Sequence, residues 1–251
     1  MKVRALLVSA LAASVVTVGG AAPASAADNG GLKKDRMVIG KSVEERNLVM
    51  YRRWHEGATK RVLVVGNMHG DEPTGRSVVR RLRHRDRLPA NLDLWLLRTM
   101  NPDGNAAFTR TNARGVDLNR NWPYRWRYAG AGTRYYSGPK PKSEPETRAV
   151  RSFVRDLEPD ATIVFHEPLY GVGNNGPKKI QWLARELSEE MDLPLDSFKC
   201  YSVCRGTFTM WHNKRLPGAA VTVEFGTDPQ KADVRRAARA IVSVGSRLPE
   251  S

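Results

Sequence analysis

The run Arg61-Val62-Leu63-Val64-Val65-Gly66 is apolar at successive positions and opens directly onto His69-Gly70-Asp71-Glu72. A short continuous apolar run reads as a strand buried within a covered sheet, so helices must lie against it. An imidazole and a carboxylate three residues apart at the end of such a strand can reach one metal ion from the same side. Zinc suits that donor pair, because a catalytic zinc takes nitrogen and carboxylate ligands and keeps one position for water. His-x-x-Glu supplies two of three ligands, and a lone pair of this kind also occurs in solvated turns. The rest of the chain has to supply the third ligand.

Other segments repeat the strand-then-helix rhythm. Strands are expected from Met37, over 47–54, 61–65, 92–97, 161–165 and 219–225. Helices are expected after Pro73, with Val78, Val79 and Leu82 on one side, and over 178–191 and 229–244. Ser143-x-x-Glu146 reads as a capping box opening a helix with Val150, Phe153, Val154 and Leu157 as its apolar face. Asn101-Pro102-Asp103-Gly104 is a turn signal, and residues 105–141 carry arginines, aromatics and glycines with little periodicity. A stretch of that length inside one domain belongs at a functional site. The fold class is α/β: a three-layer sandwich with a mixed, largely parallel twisted sheet flanked by helices. Ligands of such sheets bind beyond the carboxyl ends of strands, where His69, His166 and Glu224 are all placed.

The first 26 residues read as a signal peptide. Lys2 and Arg4 form the basic start, an uncharged apolar stretch follows, and Ala24-Ser25-Ala26 has the small-x-small form of a cleavage site. The stretch is short for a membrane span, which needs about 20 residues. Residues 27–36 are expected to be a flexible segment and 37–251 a single catalytic domain, exported and without a transmembrane anchor. The formal charge of +15 falls by two when Lys2 and Arg4 leave with the peptide. A balance this basic suits an anionic cell wall, and no nucleic-acid module is present to argue for DNA or RNA. The arginines are spread along the chain, which is also what a solvated surface looks like. Cys200 and Cys204 suit a local disulfide after export, with zinc binding by the pair as the alternative.

Thr109-Arg110, Gly115-Val116-Asp117-Leu118-Asn119-Arg120-Asn121-Trp122-Pro123, His166 and Val221-Thr222-Val223-Glu224-Phe225-Gly226 follow His69-x-x-Glu72 and Asn101-Pro102-Asp103-Gly104 in order. From about residue 40 to the end of the last helix, this series resembles the zinc carboxypeptidase family, the relatives of pancreatic carboxypeptidases. The resemblance implies one zinc ion held by His69, Glu72 and His166, with Asp117 orienting a zinc histidine. It implies Glu224 as the base that takes a proton from the water on zinc, and Arg110 as the oxyanion donor, with Arg114 in the same loop as the competitor. Asn119 and Arg120 would grip the substrate's terminal carboxylate, for which a planar guanidinium fork is suited. Tyr201 would close over bound substrate, although one residue is inserted between it and Trp211 relative to the family pattern. His55, His84, His212 and Glu167 receive no site role.

Within the family, the compact length and the Gly66-Asn67-Met68-His69-Gly70-Asp71-Glu72 form look most like murein peptide amidases and γ-D-glutamyl-diaminopimelate carboxypeptidases. The expected activity is hydrolysis of an amide bond beside a free carboxylate in bacterial cell-wall peptides. A general secreted carboxypeptidase is the alternative among enzymes, and a related aspartoacylase and desuccinylase group fits less well in its turn and Glu224 context. A catalytically idle wall-binding module is the alternative of another class. It would have no need to keep His69, Glu72, His166 and Glu224 together.

Overall fold

The structure is a computed structural model that describes residues 31–198 and 204–250. The signal-peptide expectation for residues 1–26, the first residues of the expected flexible segment, Cys200 and Tyr201 lie outside the described residues. In chain order the elements are β1 (Lys33–Lys41), β2 (Asn47–Trp54), β3 (Lys60–Val65), α1 (Thr74–Arg83), β4 (Leu92–Leu97), α2 (Pro102–Ala107), α3 (Pro145–Leu157), β5 (Ala161–His166), β6 (Gly171–Gly173), α4 (Gln181–Met191), β7 (Leu195–Asp196), α5 (Phe208–Arg215), β8 (Ala219–Glu224) and α6 (Lys231–Ser246). Short 3-10 turns occupy Leu118–Arg120 and Lys178–Ile180.

One eight-stranded sheet runs in the order β1-β2-β4-β3-β5-β8-β6-β7. Its centre, β4-β3-β5-β8, is parallel throughout, while β1 pairs antiparallel with β2, β2 antiparallel with β4, and β6 antiparallel with β8 but parallel with the edge strand β7. Alternation along each strand divides the core in two. Val62, Val64, Leu94, Leu96, Ile163 and Phe165 face one layer with Val78 and Leu82 of α1, Leu183 of α4 and Ile241 of α6. Leu63, Val65, Trp95, Leu97 and Val164 face the other, with Val150 and Val154 of α3 and Phe208 and Trp211 of α5. Each such fully buried side chain contributes roughly 1.5–3 kcal/mol. This is the expected sandwich, and covering both faces explains why β3 reads as an unbroken apolar run.

Several local expectations change. The strand expected from Met37 begins at Lys33, so Lys33 to Arg36, assigned to a flexible segment, pair instead with β2 from Trp54 to Tyr51. The Asn101 turn is the start of α2: the Asn101 side chain accepts a hydrogen bond from Gly104 N and Pro102 takes the first helical position. Ser143 caps nothing. Pro145 starts α3, the Ser143 hydroxyl donates to Glu144, and buried Glu146 accepts from Val43 N and Asn112. The last helix runs Lys231–Ser246, with a capping box formed by Gln230 and Asp233.

Two close approaches fix the loop after β3. A Cβ on Gly75 would lie 1.8 Å from the carbonyl oxygen of Gly66, and one on Gly70 would lie 2.0 Å from the carbonyl carbon of Gly104. Only glycine lets the start of α1 and the start of α2 press against this loop. The loop carries His69.

Candidate metal centre and catalytic cleft

His69 and Glu72 belong to one turn, closed by Glu72 N donating to His69 O, while the Asn67 side chain also donates to that carbonyl at 2.8 Å. His166 is the last residue of β5 and stands in register with Glu224, the last residue of the parallel neighbour β8. Registered residues of adjacent strands point to the same side, so the sheet itself sets the third ligand beside the candidate base. The expected convergence at the carboxyl edge is therefore present.

His69 Nδ1 lies 2.7 Å from Glu72 Oε1, His166 Nδ1 lies 2.9 Å from Glu72 Oε2, and the two Nδ1 atoms are 3.2 Å apart. All three residues are buried, and among the described residues they form the one group whose ligand atoms can hold a metal, lying within 4.8 Å of one another. Two imidazole nitrogens and a carboxylate aimed at one point can hold a cation between them. This donor set fits zinc, with an open fourth position.

Asp117 sits behind the metal group with no exposed surface. Its Oδ1 is 3.0 Å from His69 Nε2 and accepts from Asn119 N, and its Oδ2 accepts from Arg110 Nε and Nη2. A proton held on Nε2 toward Asp117 leaves Nδ1 as a lone pair for the metal. Burial opposes charge on both partners, yet the Asp117 and Glu72 carboxylates raise His69 above its ordinary pKa, and His69 with Arg110 holds Asp117 far below the carboxylate range. Glu72 is likewise buried and still held low by His69 and His166.

Glu224 accepts from Leu169 N at 3.3 Å and is 8% exposed. Burial pushes its carboxyl above the usual range and Glu72 adds to that, while His166 pulls the other way. Arg110 places Nη1 3.1 Å from Glu72 Oε1, beside the metal group. Arg114 is exposed, faces Glu144 at 3.7 Å and is not among the residues lining the cleft. Asn119 accepts from Phe208 N at the start of α5 and brings its Nδ2 within 3.4 Å of His166 Nε2. Arg120 is buried, donates one hydrogen bond to Asn119 O, has Nη2 3.8 Å from Cys204 Sγ, and leaves Nε without a partner. A guanidinium has five N–H donors, so most of this fork is uncommitted.

These groups meet in one cleft of about 860 Å³, lined by His69, Glu72, Arg110, Asn119, Arg120, His166 and Glu224 among others. Asp117 alone of the described candidates lies behind it. Cys204 is disulfide-bonded, but the expected partner Cys200 and the expected lid Tyr201 lie outside the described residues. Two participants escaped the sequence reading. Tyr135 lies against both Arg110 and Arg120, its ring centroid 5.6 and 5.2 Å from their guanidinium carbons. The aromatic and basic character of residues 105–141 was the only signal for it. Glu167, read as structural, accepts from Thr74 N at 2.7 Å and so ties the start of α1 to the end of β5, while also lining the cleft.

The other histidines stay out of the cleft lining. His212 is fully buried against Thr162, Phe208 and Trp211, and His55 bonds to Leu88 O.

The chain is 34% identical over 194 residues to murein peptide amidase A of Vibrio campbellii, covering 70% of this chain and 73% of that one. It is 32% identical over 162 residues to murein peptide amidase A of Escherichia coli K12, covering 59% of this chain and 64% of the relative, so it spans just under two thirds of that protein's length. The fold matches the crystal structure of murein-tripeptide amidase from Escherichia coli O157 with a TM-score of 0.70 at 22% identity, over 90% of this chain and 98% of the other. Carboxypeptidase A from Helicoverpa armigera matches with a TM-score of 0.74 at 18% identity, over 86% and 68%. The profile of the zinc carboxypeptidases matches residues 35–168, a stretch that begins in β1 and ends just past His166. With all three candidate ligands inside that match, the chain belongs to the zinc carboxypeptidase family.

Proposed function

We propose that this chain is an exported zinc-dependent hydrolase that cleaves an amide bond beside a free carboxylate in bacterial cell-wall peptides, the γ-D-glutamyl-diaminopimelate bond being the intended target. The observation that carries the reading is Arg120: a buried guanidinium with uncommitted donors, next to Asn119, opening into the same cleft as His69, Glu72 and His166. A buried cation with unspent donors is stabilised by an anionic ligand, and a planar carboxylate matches its fork. The names of the Vibrio and Escherichia relatives support murein peptides as the source of that carboxylate, and the leader-like residues 1–26 support export.

Zinc, when bound, supplies a Lewis acid that polarises the scissile carbonyl and acidifies water. His69, Glu72 and His166 would hold it, and Asp117 would keep His69 in the binding tautomer. Glu224, raised by burial, takes a proton from the attacking water and returns it to the leaving amine. Arg110 stands where negative charge develops on the carbonyl oxygen, a contribution typically of about 3 kcal/mol. Asn119 and Arg120 anchor the carboxylate of the leaving residue and so set which bond meets Glu224.

Incubating the zinc-loaded protein with a γ-D-glutamyl-diaminopimelate peptide and, separately, with ordinary C-terminal peptides tests this by mass spectrometry of the products. Release of the diaminopimelate portion is the expected result. Cleavage confined to ordinary peptides would replace the wall-peptide reading with a general carboxypeptidase.

A further inference from the structure

The parallel strands leave four carboxyl ends along one edge of the sheet. Three of them build the cleft, since β3 leads to His69, β5 ends in His166 and β8 ends in Glu224. The fourth, β4, leads to Arg98 and Thr99, which line a separate pocket of about 340 Å³ together with Arg76 of α1, Asn105 of α2, and Asn47 and Tyr51 of β2. No carboxylate lines this pocket. Neither Arg76 nor Arg98 forms an ion pair among the described residues.

Arg76 is half-buried. Its Nη1 donates to Asn105 Oδ1 at 3.3 Å, and its Nε is buried with no partner. Arg98 is exposed; burial holds the Arg76 guanidinium below its ordinary pKa, and the charge of Arg98 adds to that. Asn105 Oδ1 also accepts from Asn67, so the acceptor end of this amide is fully used and its N–H groups are the uncommitted end. Two like charges with unspent donors, beside neutral donors and without an acid, cost free energy that an oxyanion would offset through charge-assisted hydrogen bonds.

We infer that this pocket is an oxyanion site outside the catalytic cleft, in which Arg76 and Arg98 grip a carboxylate or phosphate group and Thr99 and Asn105 complete the contacts. Its place on the same sheet edge as the cleft suits a charged group remote from the bond being cut. Two sources share this chemistry, the carboxylates of peptides and the phosphodiesters of anionic polymers. The inference does not depend on the proposed hydrolysis, because the site is read by binding alone.

The test is a titration of the ¹⁵N-labelled, zinc-loaded protein at constant ionic strength with inorganic phosphate, with succinate and with a glycerol phosphate oligomer. The Nε–H signals of Arg76 and Arg98 and the amide of Thr99 are followed, while signals around Arg120 report independently on any anion entering the cleft. Saturable movement at Arg76, Arg98 and Thr99 is expected. Arg98→Gln should weaken it by about tenfold or more, the scale of one lost charge-assisted bond, and substitution of the exposed Arg235 of α6, Arg235→Gln, should leave it unchanged. Arg76→Gln should do the same as Arg98→Gln; if its folding is impaired, the exposed Arg98 carries the test. Tighter binding of the oligomer than of succinate identifies a phosphate polymer as the source, and the reverse identifies peptide carboxylates. Absence of saturable movement with all three probes, or equal binding by Arg98→Gln, overturns the site.

Discussion

Asp117 Oδ1 lies 3.0 Å from His69 Nε2, and the carboxylate has no exposed surface at all. The contact sets which nitrogen of His69 is free, and Arg110 holds the same carboxylate from its other side. Asp117→Asn retains the shape and removes the charge, so zinc affinity should fall by about 10–100-fold, measured by competition with a chromophoric chelator. Arg110 would lose its anchor in the same variant. An unchanged zinc affinity would mean that Asp117 is only a packing residue.

Glu224 contributes no ligand atom to the metal group, so Glu224→Gln should bind one zinc per chain with wild-type affinity and melt within a few degrees of the parent. Turnover should fall by at least about 10²–10⁴-fold, the usual contribution of a positioned acid–base group. Removing zinc with a chelator from the wild type should abolish activity, and adding the ion should restore it. A variant that turns over at the parental rate would remove Glu224 from the mechanism.

Arg120→Lys keeps the charge and discards the planar fork. On a substrate with a free carboxylate beside the cut bond, kcat/KM should fall by about 10–100-fold, as expected for losing a bidentate pair of roughly 1.5–3 kcal/mol. On the same substrate with that carboxylate amidated, the variant and the parent should be nearly equal. Equal losses on both substrates would show that Arg120 acts by supporting the cleft wall.

His212 is fully buried, its Nε2 lies 3.1 Å from Thr162 Oγ1, and its Nδ1 has no partner. Burial lowers its pKa to about 3, with Lys179 adding to the effect. Below pH ~6.5 the unfolded chain takes up a proton that the folded chain refuses, so this group withdraws stability as pH falls toward 3, at a limiting slope of about 1.4 kcal/mol per unit. Urea unfolding between pH 7.5 and 5 should show a shallower acid decline in His212→Gln than in the parent. Parallel curves would show that His212 is free to protonate in the fold.

The sandwich was legible because β3, β4 and β5 are buried on both faces, which leaves apolar runs that nothing else explains. His69, Glu72, His166 and Glu224 were legible for a related reason: strand ends place them, and strands announce themselves. Helix α5 was not, since its eight residues bury only Phe208, Trp211 and His212, and a polar imidazole in that stripe with Asn213, Lys214 and Arg215 after it leaves too little apolar pattern to read. Ser143-x-x-Glu146 misled because a buried network claimed Glu146 before the helix could. Tyr135 could not be picked from its loop by pattern at all. Its role depends on two arginines 25 and 15 positions earlier, which only the folded chain brings to one ring.

In the reading proposed here, that ring would act as a spacer. Arg110 would face the carbonyl being cut and Arg120 the charged end being held, and both rest against Tyr135, so the separation between them is set by a rigid object. A ligand would then satisfy both arginines only if the distance from its cleavable bond to its charged end matched that separation. The enzyme would then count from the end of its substrate with an aromatic ring as the unit of length, and longer tails would be refused by geometry even where their chemistry is right.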